Sequence, residues 1–187
     1  MDSILTIDLS EPYRQTMEAV AELLTRLRVE NIFVGAAALA AWMGSEFNKG
    51  SVDVLAAVSP EGSRQIPMMA SHRGFIVERE TVEAAEELDL VPMRFPASGY
   101  EIRLHVLIAS NALYGNMIRD GIELAMGERT VKVISAEDLA LLLTVAGDES
   151  SLRNRAELIL RRGAEFDLER LNRRMTAIGL GGKILHG

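Results

Sequence analysis

The sequence predicts an α/β protein, a mixed α+β sheet with helices packed on it to about residue 134 and a C-terminal helical subdomain from 135 to 187. Three observations predict it. A short apolar strand, Asn31 to Val34, runs through Gly35 into the alanine-rich run Ala36 to Met43. Tyr100 to Ile108 alternates cleanly, with Tyr100, Ile102, Leu104, Val106 and Ile108 on one face and Glu101, Arg103 and His105 on the other. From Ser135 onward the apolar period is helical.

Taken in order, Ser10 and Pro12 sit where a helix starts, and Tyr13, Met17, Val20, Leu24 and Leu27 then recur at helical spacing. The alanines of 36 to 43 favour helix and carry small side chains, so that helix can approach a sheet closely. Gly44 to Gly50 reads as a loop. Val52 to Val58 reads as a central strand, apolar on both faces except at Asp53. Ser59 to Gly74 is turn-rich, with a short helix beginning near Pro67. Phe75 to Glu78 and Leu90 to Phe95 are strand candidates on either side of the acidic segment Thr81 to Glu87. Asn111 to Arg119 is a short helix, and Glu123 to Met126 with Thr130 to Ile134 forms a hairpin through Gly127.

Ser135-Ala136-Glu137-Asp138 resembles a capping box with Asp in place of the usual Glu or Gln. The helix it opens stops near Gly147. A second helix covers Ser151 to Arg162, and a third, Asp167 to Ile178, turns Leu168, Leu171, Met175 and Ile178 inward. The glycine-rich tail Gly179 to Gly187 is expected to be mobile.

The 187 residues suit one domain, or one domain with a helical appendage, and 48% hydrophobic residues supply a core. The chain has no cysteine, which removes disulfides, thiolate nucleophiles and thiolate metal sites. No basic, apolar leader opens the sequence, and no apolar run approaches the roughly 20 residues that cross a bilayer. A cytoplasmic location without a membrane anchor is the expectation. The net charge of −7 repels phosphate polymers at long range and argues against duplex nucleic acid as the main partner. Between 153 and 183 the balance reverses, with Arg153, Arg155, Arg161, Arg162, Arg170, Arg173, Arg174 and Lys183 against Glu157, Glu165, Asp167 and Glu169. That excess is read as solvated helix faces, or as a docking surface for an acidic partner or an RNA.

The stretch from Asn31 to Pro60 carries the chemistry. A glycine between a strand and a helix lets the backbone approach a ligand and aims free N–H groups and the positive helix end at an anion. A carboxylate on the next strand can then hold Mg²⁺ against that phosphate. Gly35 reads equally as a plain tight turn, Asp53 as a turn cap or a partner of Lys49, and His105 as part of a polar sheet face. Trp42 reads as core or interface, or as a base-stacking platform. His72 and His186 are assigned no role. No P-loop, Ser-His-Asp order or His-x-x-x-His pattern is present.

Gly35-Ala36, Gly44, Lys49, Ser51 and Asp53 stand at the spacing of the glycine, helix, Arg-x-Thr-x-Asp-x-Asp signature. Ile134-Ser135-Ala136-Glu137-Asp138-Leu139 follows in the matching order. The chain thus resembles the nucleotidyltransferase superfamily, in particular its minimal bacterial branch, over roughly residues 20 to 160. The resemblance implies a nucleotidyltransferase-like core at 1–134 and a helical region at 135–187. It also implies phosphate binding at Gly35, Ala36, Lys49 and Ser51, catalytic positions at Asp53 and His105, and Mg²⁺ on Asp53 if nucleotide binding is retained. The departures are specific. The second carboxylate of the signature falls at Leu55, the third strand position at His105, the expected helical lysine at Leu143, and the usual acidic pair at Ser151 and Asn154. Lys49 keeps a charge but not the bidentate fork of Arg. One carboxylate leaves Mg²⁺ underbound, so the expectation is a catalytically impaired pseudoenzyme that binds a nucleoside triphosphate or a protein partner. The rival expectations are an active, toxin-like enzyme modifying protein or tRNA, and a non-enzymatic module such as a toxin–antitoxin component. The oligomeric state stays open.

Overall fold

Extended apolar runs and amphipathic runs alternate as far as Ile134, and the chain divides there. The computed structural model, which describes residues 5–84, 87 and 89–180, contains two compact units, Met1–Ile134 and Ser135–Gly187. The first unit runs β1 (Leu5–Thr6), β2 (Asp8–Leu9), α1 (Glu11–Arg26), β3 (Glu30–Val34), α2 (Gly35–Met43), β4 (Glu46–Phe47) and β5 (Val52–Ala57). It continues through α3 (Pro60–Ser63), α4 (Gln65–Ser71), α5 (Arg79–Ala84), β6 (Leu90–Ala97), β7 (Tyr100–Ile108), α6 (Ala112–Arg119), β8 (Ile122–Met126) and β9 (Arg129–Val133).

Seven strands form a mixed sheet in the order β1-β8-β9-β3-β5-β7-β6, and β2 pairs with β4 in a separate two-stranded ribbon. The apolar strand expected to be central, β5, lies between β3, to which it is antiparallel, and β7, to which it is parallel. Val52, Val54, Leu55 and Ala56 are buried, as a strand covered on both faces requires. Helix α1 lies against β3, β5, β6 and β7 and buries Met17, Val20, Leu23 and Leu24 completely or nearly so. Each such side chain stabilises by about 1.5–3 kcal/mol. Helix α6 lies against β3 and β5.

Several local expectations need correcting. Glu46–Phe47 is not loop but a strand paired with Asp8–Leu9, a pairing of residues 38 positions apart that no local pattern announces. The helix placed near Pro67 begins at Gln65, so Pro67 lies in its first turn, where no N–H is missed. Phe75 to Glu78 forms only a bridge, Ile76 to Arg94, rather than a strand. The acidic segment contains a helix from Arg79, and its residues 85 and 86 lie outside the described residues, as do 181–187 of the tail, including Lys183 and His186.

Trp42 is a tie rather than an exposed platform. Its indole Nε1–H donates to the Ile134 carbonyl at 2.9 Å and fastens α2 to the end of β9. Trp42→Phe removes that donor beside a fully buried residue and is expected to lower stability by about 1–2 kcal/mol, read as a shift in the denaturant midpoint at unchanged slope.

The second unit holds α7 (Ala136–Ala146), α8 (Glu149–Arg162), a short 3₁₀ turn (Gly163–Glu165) and α9 (Leu168–Ala177). Ser135 caps α7 by accepting the Asp138 N–H at 3.2 Å, half of the expected capping box. The Asp138 carboxylate does not return to the backbone of Ser135. It accepts from the Ser135 hydroxyl at 3.1 Å and meets Arg170 at 2.8 Å and Arg174 at 3.2 Å, with no side-chain exposure of its own. Of the inward residues expected on α9, Leu171 and Met175 are buried, but Leu168 is 55% exposed and Ile178 36%. The helix is short, and those two end residues overhang the packed turns.

Candidate functional site: the Gly35 turn and the Asp53–His105 pair

The turn from β3 into α2 is made by a glycine with φ +61°, and the geometry demands one. A Cβ at Gly35 would stand 2.5 Å from Asp53 Oδ2. Val34 and Asp53 are register partners across β3 and β5, which brings the carboxylate against the first residue of the helix. No side chain caps the N-terminus of α2, and its first turn carries no acid. Its leading N–H groups therefore present a partial positive charge to this corner of the sheet.

Two side chains gather on Asp53. Asp53 and His105 are register partners in the parallel pair β5–β7, and His105 Nδ1 lies 2.8 Å from Asp53 Oδ1. The Ser51 hydroxyl donates to the same oxygen at 2.9 Å. An ionised carboxylate only accepts, so Nδ1 of His105 carries the proton and its Nε2 is the nitrogen left for a ligand. The pair is part-open, with side chains 20% and 32% exposed.

Lys49 and Gly50 arch over the helix start: a Cβ on Gly50 would meet the Ala36 Cβ at 3.8 Å. The arch is pinned from α1, because the Tyr13 hydroxyl donates to the Gly50 carbonyl at 3.1 Å and its ring meets Phe47 edge-on at 4.6 Å. Burial pushes the Tyr13 hydroxyl above its usual range, while Arg103, close enough to act on it, pulls the other way. Tyr13 and Arg103 were not among the sequence candidates. The signal for Tyr13 was a hydroxyl on an otherwise apolar helix stripe, which needs a partner when buried. Lys49 and Arg103 are exposed, and among the described residues neither makes an ion pair. Glu101 does not join the site: Arg94 holds it at 2.9 Å.

Leu55 is a core residue. It shares the face of β5 that carries Asp53 and pairs with Ile32, and both are buried. Gly121, just after α6, sits so close to Ile32 that an added Cβ would come within 2.7 Å of its Cγ2. A carboxylate at 55 would thus be a charge placed under that cover, whereas Asp53 lies beyond it. The donor set does not fit Mg²⁺. It offers one carboxylate, already accepting two hydrogen bonds, and an imidazole, where the hard cation prefers several oxygens. Among the described residues no group of three or more His, Asp or Glu converges as a metal site.

A groove of about 590 Å³ lies elsewhere, lined by Thr25, Asn31, Glu123, Arg129 and Lys132 among others.

The chain has the nucleotidyltransferase fold, as its likeness to solved structures shows. Neither a protein-family model nor a curated protein sequence matches it. Solved structures do. An antigenic nucleotidyltransferase-like protein from Paracoccidioides brasiliensis superposes with a TM-score of 0.59 at 12% identity, over 90% of this chain and 88% of that one. ANT(2")-Ia, solved in complex with adenylyl-2"-tobramycin, superposes with a TM-score of 0.51 at 12% identity, over 89% and 97%. No described helix is long and apolar enough to cross a membrane.

Proposed function

We propose that the chain is a nucleotide-binding protein on the nucleotidyltransferase fold that has given up metal-dependent transfer. The observation that carries this reading is the 2.8 Å contact between Asp53 and His105 beside the Gly35 turn. It commits the one carboxylate of the site to an imidazole, where phosphoryl-transfer chemistry on two metals needs several carboxylates. The means of holding a phosphate remain. They are the uncapped start of α2 at Gly35 and Ala36, the Lys49 charge on the arch above it, and the Ser51 hydroxyl. His105 and the Ser51 hydroxyl both engage Asp53 Oδ1, which ties down the carboxylate beside that start. The adenylylated ligand in ANT(2")-Ia makes a nucleoside triphosphate the natural candidate. A protein partner at the same corner is the other possibility in this class.

Isothermal titration with the four ribonucleoside triphosphates, with Mg²⁺ and with EDTA, tests the reading. Binding is expected in both buffers, and Lys49→Glu is expected to weaken it about tenfold by removing one charged contact. No heat with any nucleotide overturns the nucleotide half and leaves the protein partner. Incorporation of labelled nucleotide into protein or tRNA, abolished by Asp53→Ala, overturns the loss of transfer and establishes an active enzyme with an atypical site.

A further inference from the structure

Helix α8 buries only Leu158. Its outward side carries Leu152, 39% exposed, and Leu160, 80% exposed, with exposed Ala156 between them. Side chains four apart form one ridge along a helix, so these three make a continuous apolar ridge facing water. A single exposed leucine is ordinary; a row of them beside an ordered row of charges is not.

The neighbouring ridge is Glu149, Arg153, Glu157 and Arg161, alternating in sign every four residues. Within one chain they pair as Glu149–Arg153 at 2.7 Å and Glu157–Arg161 at 3.0 Å. The order matters for a second copy. Laid parallel about a two-fold axis, the two charged ridges fall on opposite sides of the apolar seam and do not meet. Laid antiparallel, Glu149 faces Arg161 and Arg153 faces Glu157, each pair twice. The apolar ridge has the same symmetry, since Leu152 then faces Leu160 and Ala156 faces itself, a small residue at the crossing. The two centres of inversion differ by one residue, about 1.5 Å along the axis, well within the reach of an arginine.

The geometry points to α8 as a self-association helix: two copies of this chain pair antiparallel through its Leu152–Ala156–Leu160 ridge, about a two-fold axis near Ala156. Such an interface is isologous, the same patch on both copies. The apolar ridge supplies the attraction, and the charges set orientation, because exposed ion pairs add little energy but like charges in apposition oppose the wrong register. One three-turn ridge is far below the roughly 800 Å² per partner of a standard interface, so the dimer is weak and depends on concentration.

Sedimentation velocity on the full chain, from micromolar to millimolar, is expected to show a monomer–dimer equilibrium. Leu160→Glu is expected to raise the dimer Kd at least about tenfold with an unchanged circular dichroism spectrum. Arg153→Glu with Arg161→Glu is expected to abolish dimerisation, and adding Glu149→Arg and Glu157→Arg to restore it. The chain lacks cysteine, so single cysteines report orientation. Ala156→Cys is expected to cross-link under mild oxidation. Leu152→Cys is not, because antiparallel pairing puts the two copies of residue 152 about 12 Å apart along the axis, beyond the roughly 7 Å Cα limit of a disulfide. A monomer at every concentration, a dimer indifferent to Leu160→Glu, or cross-linking by Leu152→Cys as fast as by Ala156→Cys overturns the inference.

Discussion

Asp138→Ala is expected to lower stability by about 2–4 kcal/mol, with far-UV circular dichroism losing helical signal first. Asp138 has no exposed side-chain surface and lies against Arg170 and Arg174, which are 27% and 17% exposed. Removing one member of a buried pair typically costs about 3–5 kcal/mol, because the remaining charge is left desolvated; the partial exposure of both arginines trims that figure. The Ser135 hydroxyl loses an acceptor in the same step. Asp138→Asn, which keeps the shape and part of the hydrogen bonding, is expected to cost less than the alanine. The sole tryptophan, Trp42, reports on the α/β unit alone, whereas far-UV circular dichroism sums the helices of both units. An alanine variant within about 0.5 kcal/mol of the parent would show that the two arginines are satisfied without Asp138.

Gly35→Ala is expected to cost about 2–4 kcal/mol and to disturb the corner where the start of α2 meets Asp53. Two costs add. An alanine at φ +61° sits in the left-handed region, worth about 1–2 kcal/mol. Its Cβ would also stand 2.5 Å from Asp53 Oδ2, and the carboxylate cannot swing away freely while Ser51 and His105 hold its other oxygen. A double-mutant cycle separates the two. Asp53→Ala removes the obstacle, so Gly35→Ala in that background should retain the backbone cost and lose the steric one, a coupling on the order of 1 kcal/mol. Strictly additive effects would mean that the carboxylate yields without cost, and that Asp53 is less firmly held than its two hydrogen bonds imply.

These two sites differ in how far the sequence announced them. Ser135 before an acidic first turn marks the start of α7 through local chemistry, because a capping hydroxyl and the N–H it accepts are three residues apart. Nothing local says that Asp138 faces two arginines more than thirty residues later. The strand Tyr100–Ile108 was legible to the residue, since alternation is a property of the strand itself. The ribbon of β2 with β4 was not, because two-residue strands carry no periodicity and exist only through their pairing. Leu152 and Leu160 stand apart from the helical apolar stripe that predicts burial on α8, and their exposure is visible only once Leu158 is seen to take the inward side.

At the Gly35 corner the division is equally clear. The order of residues alone established a strand, a glycine turn, a thin helix and a lone carboxylate on the next strand, together with a leucine where a second carboxylate would stand, because all of these depend on spacing within some twenty residues. Only the tertiary structure decided that Asp53 spends an oxygen on His105, that Tyr13 pins the Lys49–Gly50 arch, and that Leu55 belongs to the buried face with Ile32. Those contacts join residues 23 to 52 positions apart through sheet register and a helix lying on it. Register is set by the packing of whole faces rather than by any neighbour in the chain. Which side chain meets the Asp53 carboxylate is therefore settled by the strand that lies next to it.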